Sequence, residues 1–172
     1  LTAILILEAR NKGKGVAMKK IGIVTCGGDA PGMNAAIRAI VRVAHARSLK
    51  VFGFEEGWKG LMANESKPLA PRSVGGILQL GGTILRTARC PEFARRKSVR
   101  KAAEVLSLNE IEGLVVIGGN GSFKGALDLS KESDTLIVGI PATIDNDVFG
   151  VDETIGFDTA VNTVVTEIDK IR

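Results

Sequence analysis

Residues 143–147 (TIDND) combine a hydroxyl and two carboxylates directly after an apolar run at residues 136–140. Thr143 and Asp145 are two positions apart, so in an extended chain their side chains point the same way. A carboxylate placed there can accept a proton from a hydroxyl that attacks phosphorus, while the threonine positions that hydroxyl. Asp147 can hold a metal ion or orient Asp145. The alternative is a turn in which Asp and Asn side chains bond their own backbone.

Two glycine-rich segments, residues 27–32 (GGDAPG) and 118–122 (GGNGS), each follow an apolar run and open a helical pattern. Glycine lets the backbone approach an anion, and a helix N-terminus presents unpaired N–H groups to it. Both segments are therefore candidate phosphate loops. Neither matches a Walker A loop, and Lys124 stands where the dinucleotide motif needs its third glycine. A tight turn of an α/β protein is the alternative for each segment.

A third glycine-rich segment, residues 81–89 (GGTILRTAR), ends in Arg89. Because no Walker lysine is present, a guanidinium is the natural group to offset charge on transferring phosphoryl oxygens. We therefore select Arg89 as a candidate catalytic residue. Residues 86–101 hold seven basic side chains against Glu92 alone, whereas residues 142–172 are mainly acidic. This pattern suits a site for anions and cations, or two solvated surfaces.

The composition is that of one soluble globular domain: 172 residues, 45% hydrophobic and 24% charged. The apolar start at residues 1–7 is too short to span a bilayer, and its charges follow rather than precede it, unlike a signal peptide. With six Phe, one Trp and no Tyr, stacking platforms for nucleic acid are not expected. Cys26 and Cys90 are too few for a disulfide framework. We expect a cytoplasmic protein with neither nucleic acid nor membrane as partner.

Apolar runs alternate with helical patterns along the chain. The predicted strands are residues 21–25, 51–54, 114–117 and 136–140. The predicted helices are residues 33–47, 73–80, 97–108, 123–131 and 159–172, with a loop over residues 55–71. Continuous apolar strands indicate burial on both faces, so we predict an α/β fold with a doubly wound, mainly parallel sheet and helices on both faces. Ligands bind beyond the carboxyl ends of such strands, where the glycine-rich segments follow.

The first 17 residues and the last predicted helix each lead to a further prediction. Met18 directly precedes the first predicted strand, so we interpret residues 1–17 as an upstream extension without a role in the fold. The last predicted helix has an apolar face and no following element on which to pack. We therefore interpret the chain as the front part of a longer protein, truncated before a second domain.

Taken together and in order, the motifs resemble those of the bacterial 6-phosphofructokinases. The matching segments are residues 26–34 (CGGDAPGMN), 81–85 (GGTIL), 87–93 (TARCPEF), 118–122 (GGNGS), 143–147 (TIDND) and 156–160 (GFDTA). The resemblance runs from Met18 to Arg172. Several long motifs in the correct order are far more specific than any single glycine loop.

The resemblance implies that the whole protein transfers a phosphoryl group from ATP to the 1-hydroxyl of fructose 6-phosphate, giving fructose 1,6-bisphosphate and ADP in glycolysis. It implies Mg²⁺ dependence, allosteric control and a cytoplasmic homotetramer. It makes Asp145 the catalytic base, Thr143 its partner in the sugar site and Asp147 a supporting carboxylate. Residues 18–157 become a nucleotide-binding domain with the catalytic loop, and residues 158–172 the start of a sugar-phosphate domain. The isolated fragment is then expected to be inactive.

Further binding residues follow from the resemblance alone. It implies nucleotide contacts at Gly28, Arg89, Cys90, Gly119, Asn120, Gly121 and Ser122. It also implies that Arg38 and Arg42 bind an allosteric effector such as ADP at a subunit contact. A solvated stripe on the helix that carries these two arginines is the alternative.

The sequence departs from the family pattern at Asn120, where an aspartate usually helps to hold Mg²⁺. An amide keeps an oxygen but lacks the charge that a hard cation favours. Pyrophosphate-using relatives carry an aspartate at the position of Gly121 and a lysine at that of Ala142, so this chain favours ATP. The alternatives are a pyrophosphate-dependent phosphofructokinase and a non-catalytic, nucleotide-binding regulatory relative. A lipid or NAD kinase is disfavoured by the segments around Arg89 and Asp145.

Overall fold

The computed structural model of the chain describes residues 5–7 and 18–171. The strands are β1 (Leu5–Leu7), β2 (Lys20–Thr25), β3 (Lys50–Phe54), β4 (Ser66–Leu69), β5 (Gly113–Gly118), β6 (Leu136–Thr143) and β7 (Ile155–Gly156). The helices are α1 (Met33–Ala46), α2 (Gly57–Ala63), α3 (Arg96–Leu108), α4 (Asn120–Glu132) and α5 (Phe157–Ile171). A short 3-10 helix covers Pro91–Ala94.

The strands form one sheet in the order β1-β6-β5-β2-β3-β4, with β7 paired to the end of β6. The four inner strands run parallel, and in that register Ile21 of β2 lies between Val51 of β3 and Gly113 of β5. The edge strands β1 and β4 run antiparallel to their neighbours. The prediction of a doubly wound, mainly parallel sheet is confirmed.

Helices cover both faces of the sheet because alternate side chains of the inner strands point to opposite sides. Ile23 of β2 packs into a core with Ile37 and other side chains of α1. Its neighbour Val24 packs into a second core with side chains of α3 and α4, Leu106 and Leu129 among them. All five side chains are fully buried. Two hydrophobic cores therefore hold the carboxyl ends of the strands at one common edge.

The chain reverses its direction of winding between β2 and β5. From β2 it passes through α1 to β3 on one side, whereas β5 lies on the other side of β2 and leads through α4 to β6. The segments after β2 and β5 therefore diverge from neighbouring strand ends. Such a switch point opens a crevice at the carboxyl edge of an α/β sheet.

Two elements lie where the sequence predicts a loop. Helix α2 is held through buried Trp58 and Leu61, which belong to the α3 and α4 core. Strand β4 pairs with β3 at the edge of the sheet, a position that tolerates Pro68. Tertiary contacts rather than local propensity create both elements.

The predicted helix at residues 73–80 is wrong, since the chain forms consecutive turns there. Val74 and Ile77 are buried three residues apart, a spacing that imitates a helix. Side chains of α1 bond the main-chain oxygens of this segment instead. Asn34 Nδ2 donates to the main-chain oxygen of Leu80 at 3.2 Å, and Arg38 Nη1 donates to that of Val74 at 2.7 Å.

Strand β6 continues past Pro141 to Thr143, further than the predicted end at residue 140. The extension is held by β7, which pairs with Ala142 and Thr143. At the other end of the chain, Leu5–Leu7 pair with residues 137–139 of β6. These three residues are part of the sheet, contrary to the expectation that residues 1–17 have no role in the fold. Residues 1–4 and 8–17 lie outside the described residues.

Helix α5 keeps its apolar face exposed, as the sequence predicts. Val161, Val164, Val165 and Ile168 are between 44% and 57% exposed, and no side chain of this helix is buried within the described residues. Across the ranges 5–7 and 18–171, no helix combines the length and apolar character that crossing a membrane requires.

Leu85 is fully buried and packs over Gly53 of β3, which fixes the chain that leads to Arg89. We expect Leu85→Ala to lower the free energy of unfolding by about 2–5 kcal/mol, because it removes buried methyl groups and leaves a cavity. Leu108→Ala is the matched control: Leu108 is 75% exposed, so its loss should change that free energy by less than about 0.5 kcal/mol. Urea unfolding followed by circular dichroism measures both, and equal small effects would contradict the packing role.

Candidate functional site

A cavity of about 550 Å³ lies at the switch point, beyond the carboxyl ends of β2, β5 and β6. Four segments and one aromatic side chain surround it. Its lining includes every catalytic, nucleotide-binding and sugar-site candidate predicted from the sequence: Gly28, Arg89, Cys90, Gly119, Asn120, Gly121, Ser122, Thr143, Asp145 and Asp147. Residues that are far apart in the chain thus meet at one site.

A larger cavity, of about 820 Å³, lies at the opposite edge of the sheet, near the start of β2 and β6. Its lining mixes charged and apolar residues, among them Met18, Glu110 and Asp134. It contains neither a glycine-rich segment nor any predicted site residue. Ligands of doubly wound sheets bind at the carboxyl edge, so we assign the site to the smaller cavity.

The glycine-rich segments meet closely at the switch point. The main-chain N–H of Cys26 donates to the oxygen of Ile117 at 2.9 Å. A Cβ atom at Gly118 would stand 2.6 Å from the Cys26 carbonyl oxygen, so only glycine fits there. Gly27 has a φ of +88°, which also favours glycine. Both predicted phosphate loops therefore face one cavity, and α4 begins there with the unpaired N–H groups of its first turn.

The loop between β6 and β7, residues 144–154, is called the acidic loop and is held by hydroxyl and amide groups. The main-chain N–H of Asp145 donates to Thr143 Oγ1 at 3.2 Å, and Thr154 Oγ1 donates to the Thr143 carbonyl at 2.8 Å. Asn146 accepts from the N–H of Thr154 at 2.9 Å. Asp145 and Asp147 are exposed and line the cavity. Asn146 and Thr143 thus supply the predicted turn bonding, which leaves the two carboxylates facing the cavity.

The segment that carries Arg89 is tied to the sheet upstream of that residue. Thr25, fully buried, donates from Oγ1 to the main-chain oxygen of Arg86 at 2.7 Å. The N–H of Glu56 donates to the Leu85 carbonyl at 2.8 Å. Arg89 is exposed and lines the cavity. Both ties fix the backbone from which the arginine extends.

The basic segment 86–101 divides into two parts. Arg96 and Arg100 pair with Glu132 at 2.7 Å and 3.1 Å on the outer side of α3 and α4, away from the cavity. These guanidinium groups bind through Nε and lower the pKa of the Glu132 carboxyl. The basic segment therefore contributes to both of the predicted features. Arg89 lines the candidate site, whereas Arg96 and Arg100 lie on a solvated surface.

Asn120, the first residue of α4, donates from Nδ2 to the main-chain oxygen of Asp147 at 3.0 Å. Within the described ranges, no three or more His, Cys, Asp or Glu side chains are arranged to hold a metal ion. Asn120 directs its donor atoms at the acidic loop. In this arrangement the Asn120 side chain is a hydrogen-bond donor to the loop, and its predicted contact with Mg²⁺ stays a prediction.

Sequence reasoning missed Trp58, which lines the cavity from the predicted loop region. Its ring stacks on Phe93 with centroids 4.3 Å apart and planes 2° apart, and it is only 5% exposed. As the single tryptophan of the chain, it gave a compositional signal but no spacing that points to a site. Asp29, inside the first glycine-rich segment, also lines the cavity.

The predicted effector residues lie on α1, apart from this cavity. Arg38 is half-buried and donates from Nη1 to the main-chain oxygen of Val74, whereas Arg42 is exposed. Neither side chain lines the cavity. Their role as effector ligands stays a prediction.

A sequence profile of the phosphofructokinase family matches residues 20–172. The chain therefore belongs to the phosphofructokinase family, and the resemblance deduced from its motifs is confirmed. ATP-dependent 6-phosphofructokinase 1 of Thermus thermophilus is 56% identical over 155 residues, and the ATP-dependent 6-phosphofructokinase of a Thermoanaerobacter species is 59% identical over 155 residues. Each match covers 90% of this chain and 48% of the relative, so the chain spans about half the length of these curated relatives.

Solved structures share the fold. Pichia pastoris phosphofructokinase in the T-state matches with a TM-score of 0.83 and 37% identity, over 94% of this chain and 19% of that chain. A pyrophosphate-dependent phosphofructokinase from Marinobacter aquaeolei matches with a TM-score of 0.71 over 81% of this chain and 37% of that chain. At 20% identity the second match shows the fold alone.

The two thiols should differ in reactivity. Burial raises the pKa of both, but Cys26 is fully enclosed, whereas Cys90 is half-buried and lines the cavity. At about pH 8 we expect iodoacetamide to alkylate Cys90 more slowly than free cysteine, because the thiolate is the reactive form. The rate should rise with pH through 9.0 and beyond, since the Cys90 pKa is raised above that ordinary value.

Mass spectrometry of the labelled chain locates the modified thiol. Cys26 should react only after denaturation, and Cys90→Ser should abolish labelling of the folded chain. Faster labelling of Cys26 than of Cys90 in the folded chain would contradict the burial described above.

Proposed function

We propose that this chain is the nucleotide-binding and catalytic-loop half of an ATP-dependent 6-phosphofructokinase. The whole protein transfers the γ-phosphoryl group of ATP to the 1-hydroxyl of fructose 6-phosphate, giving fructose 1,6-bisphosphate and ADP. One observation carries the proposal: the phosphate loops, Arg89 and the Thr143 to Asp145 pair line a single cavity. The named relatives with 56% and 59% identity support this donor and this reaction.

In this proposal the amino end of α4 and the loop at Gly28 bind the ATP phosphates. The first-turn N–H groups of α4 have no partner within the helix and attract anionic oxygens. The backbone at Gly28 and Gly121 is open to an approaching phosphate, because no other atom lies within 4 Å of the position that a Cβ atom would take at either residue. Arg89 and Cys90 lie beside the nucleotide, and Arg89 offsets the negative charge on the transferring group.

Asp145 acts as the general base. It accepts the proton of the 1-hydroxyl as that oxygen attacks the γ-phosphorus, while the bond from this phosphorus to the bridging oxygen of ADP breaks. Thr143, whose Oγ1 already receives the Asp145 N–H, orients the hydroxyl of the sugar. Asp147 supports the loop from the same rim. Positioning and charge stabilisation account for the catalysis, because phosphoryl transfer needs little covalent chemistry from the protein.

We propose that Mg²⁺ binds together with ATP, as the counter-ion of its phosphates. Mg²⁺ is commonly bound by substrate phosphates together with one or two carboxylates, rather than by a cage made only of protein groups. It supplies charge neutralisation of the phosphates when the nucleotide is bound.

ATP is favoured over pyrophosphate by two small residues. Ala142 is buried at the cavity wall and leaves the cavity open, where a lysine would fill it. Gly121 carries no carboxylate that would repel a longer polyphosphate. A non-catalytic regulatory role is the second candidate, and Asn120 is the observation that favours it. The joint presence of Asp145, Thr143 and Arg89 at the cavity argues against that candidate.

We further propose a domain division, a compartment and an oligomeric state for the enzyme. Residues 18–157, together with strand β1, belong to the nucleotide-binding domain, and residues 158–172 begin the sugar-phosphate domain. The enzyme is a cytoplasmic, allosteric homotetramer with ADP or a similar effector at Arg38 and Arg42. The free thiols of Cys26 and Cys90 suit a reducing compartment.

The donor and the base are tested together in the full-length protein. We expect Mg²⁺-dependent formation of fructose 1,6-bisphosphate from ATP and none from pyrophosphate. Asp145→Asn should slow transfer by about 100- to 10,000-fold with little change in ATP binding, because the amide cannot take the proton. Product formation is followed by chromatography, and Asp128→Asn on the outer face of α4 is the control. An unchanged kcat in Asp145→Asn would refute the base, and turnover from pyrophosphate alone would refute the donor.

Arg89→Ala tests stabilisation of the transferring group. If the guanidinium acts mainly in the transition state, kcat should fall by about 100-fold or more while KM for ATP rises less. Arg100→Ala is the control, since Arg100 pairs with Glu132 at the surface. Steady-state kinetics in the full-length protein measure both parameters. Equal activities of the two variants would assign Arg89 to the solvated surface.

A further inference from the structure

Helix α4 and the acidic loop after β6 are joined by a single side-chain hydrogen bond within the described residues, from Asn120 Nδ2 to the main-chain oxygen of Asp147. The two segments leave neighbouring parallel strands, and Gly118 of β5 stands opposite Pro141 of β6. Strand pairing fixes where the segments start but not how they are placed beyond their strands. This bond, called the Asn120 link below, connects them inside the cavity.

The chemistry of the link requires an amide at position 120. The acceptor is a carbonyl oxygen, so the partner must donate, and the asparagine Nδ2 group carries two donor hydrogens. An aspartate of the same shape has only acceptor oxygens at neutral pH and would be repelled by that carbonyl. Residue 120 is therefore used here as a donor to the protein.

The link completes the support of the Asp145 carboxylate. On one side of Asp145, Thr143 is fixed by pairing with β7 and by the Thr154 hydroxyl. On the other side, Asn146 is bonded to Thr154 and Asp152, which closes the base of the loop. Asp147 is then bonded by Asn120. The exposed carboxylate of Asp145 stands between two anchored neighbours.

We propose that Asn120 is a positioning residue, which holds the acidic loop against the amino end of α4 through its amide and does not serve as a metal ligand. The bond sets the distance between the phosphate-binding helix end and the Asp145 carboxylate. That consequence for catalysis rests on the proposed function, whereas the link itself is independent of it. Coupling through the link is reciprocal, so a phosphate group bound at α4 also favours the ordered loop.

Hydrogen exchange of the 172-residue chain, in metal-free buffer without nucleotide, tests the link directly. Asn120→Ala and Asn120→Asp should both speed the exchange of amides in residues 145–149 by about 2- to 10-fold, the range expected for loss of one hydrogen bond. Asn162→Ala is the matched control, because Asn162 Nδ2 makes a similar bond, 2.9 Å to the main-chain oxygen of Asp158, on α5. It should leave the loop unchanged. Exchange in Asn120→Asp as slow as in the unaltered chain would overturn the donor role.

Added Mg²⁺ separates a positioning role from metal ligation. In the unaltered chain we expect Mg²⁺ without nucleotide to leave exchange of residues 145–149 unchanged within about 2-fold, the lower limit of the effect above. Slower exchange with Mg²⁺ that disappears in Asn120→Ala would assign the residue to the metal and overturn the proposal.

Kinetics of the full-length protein then test the consequence for catalysis. Asn120→Ala should lower kcat about 10-fold or more while KM for ATP changes by less than about 3-fold, because the loop rather than the nucleotide contact is displaced. Normal kcat despite faster exchange would overturn the positioning role. If the unaltered protein has no kinase activity but the exchange result holds, the proposed function fails and the Asn120 link stands.

Discussion

The site depends on the close approach of the ends of β5 and β2, where Gly118 has no side chain to push the two segments apart. Gly118 leaves no space for a Cβ atom beside the Cys26 carbonyl, and the N–H of Cys26 bonds Ile117 across the same junction. Because both strands run parallel, both glycine-rich segments leave the sheet at one edge. A bulkier residue at Gly118 would separate the loops and widen the cavity that they form.

Polar side chains, rather than hydrophobic contacts, position the segments around this cavity. The two cores fix the strands and helices, but the segments that carry the reactive groups lie beyond them. Thr25 bonds the chain before Arg89, Thr154 bonds the end of β6, and Asn120 bonds the acidic loop. Such bonds have directional geometry, so each fixes an orientation that packing alone would leave free. The charged groups themselves stay exposed and accessible to a ligand.

Several features of the fold and site were predictable from the sequence, and the others depended on contacts between distant residues. Long periodic segments such as α1 and α3 were predicted within about two residues of their ends, the usual uncertainty of helix boundaries. The false helix at residues 73–80 arose because the spacing of Val74 and Ile77 is helical, while α1 bonds their segment as turns. Trp58 escaped notice because nothing in its local pattern points to a cavity.

The sequence by itself determined the class of the fold, the family and a set of candidate site residues, because periodicity, glycine placement and motif order are written in consecutive residues. It also determined that residue 120 is an amide. Only the tertiary structure decided that the motifs line one cavity, that Arg96 and Arg100 turn away from it, and that Asn120 donates to Asp147. These facts join residues that are distant in the chain, and their geometry is set by strand order and packing, which local sequence does not encode.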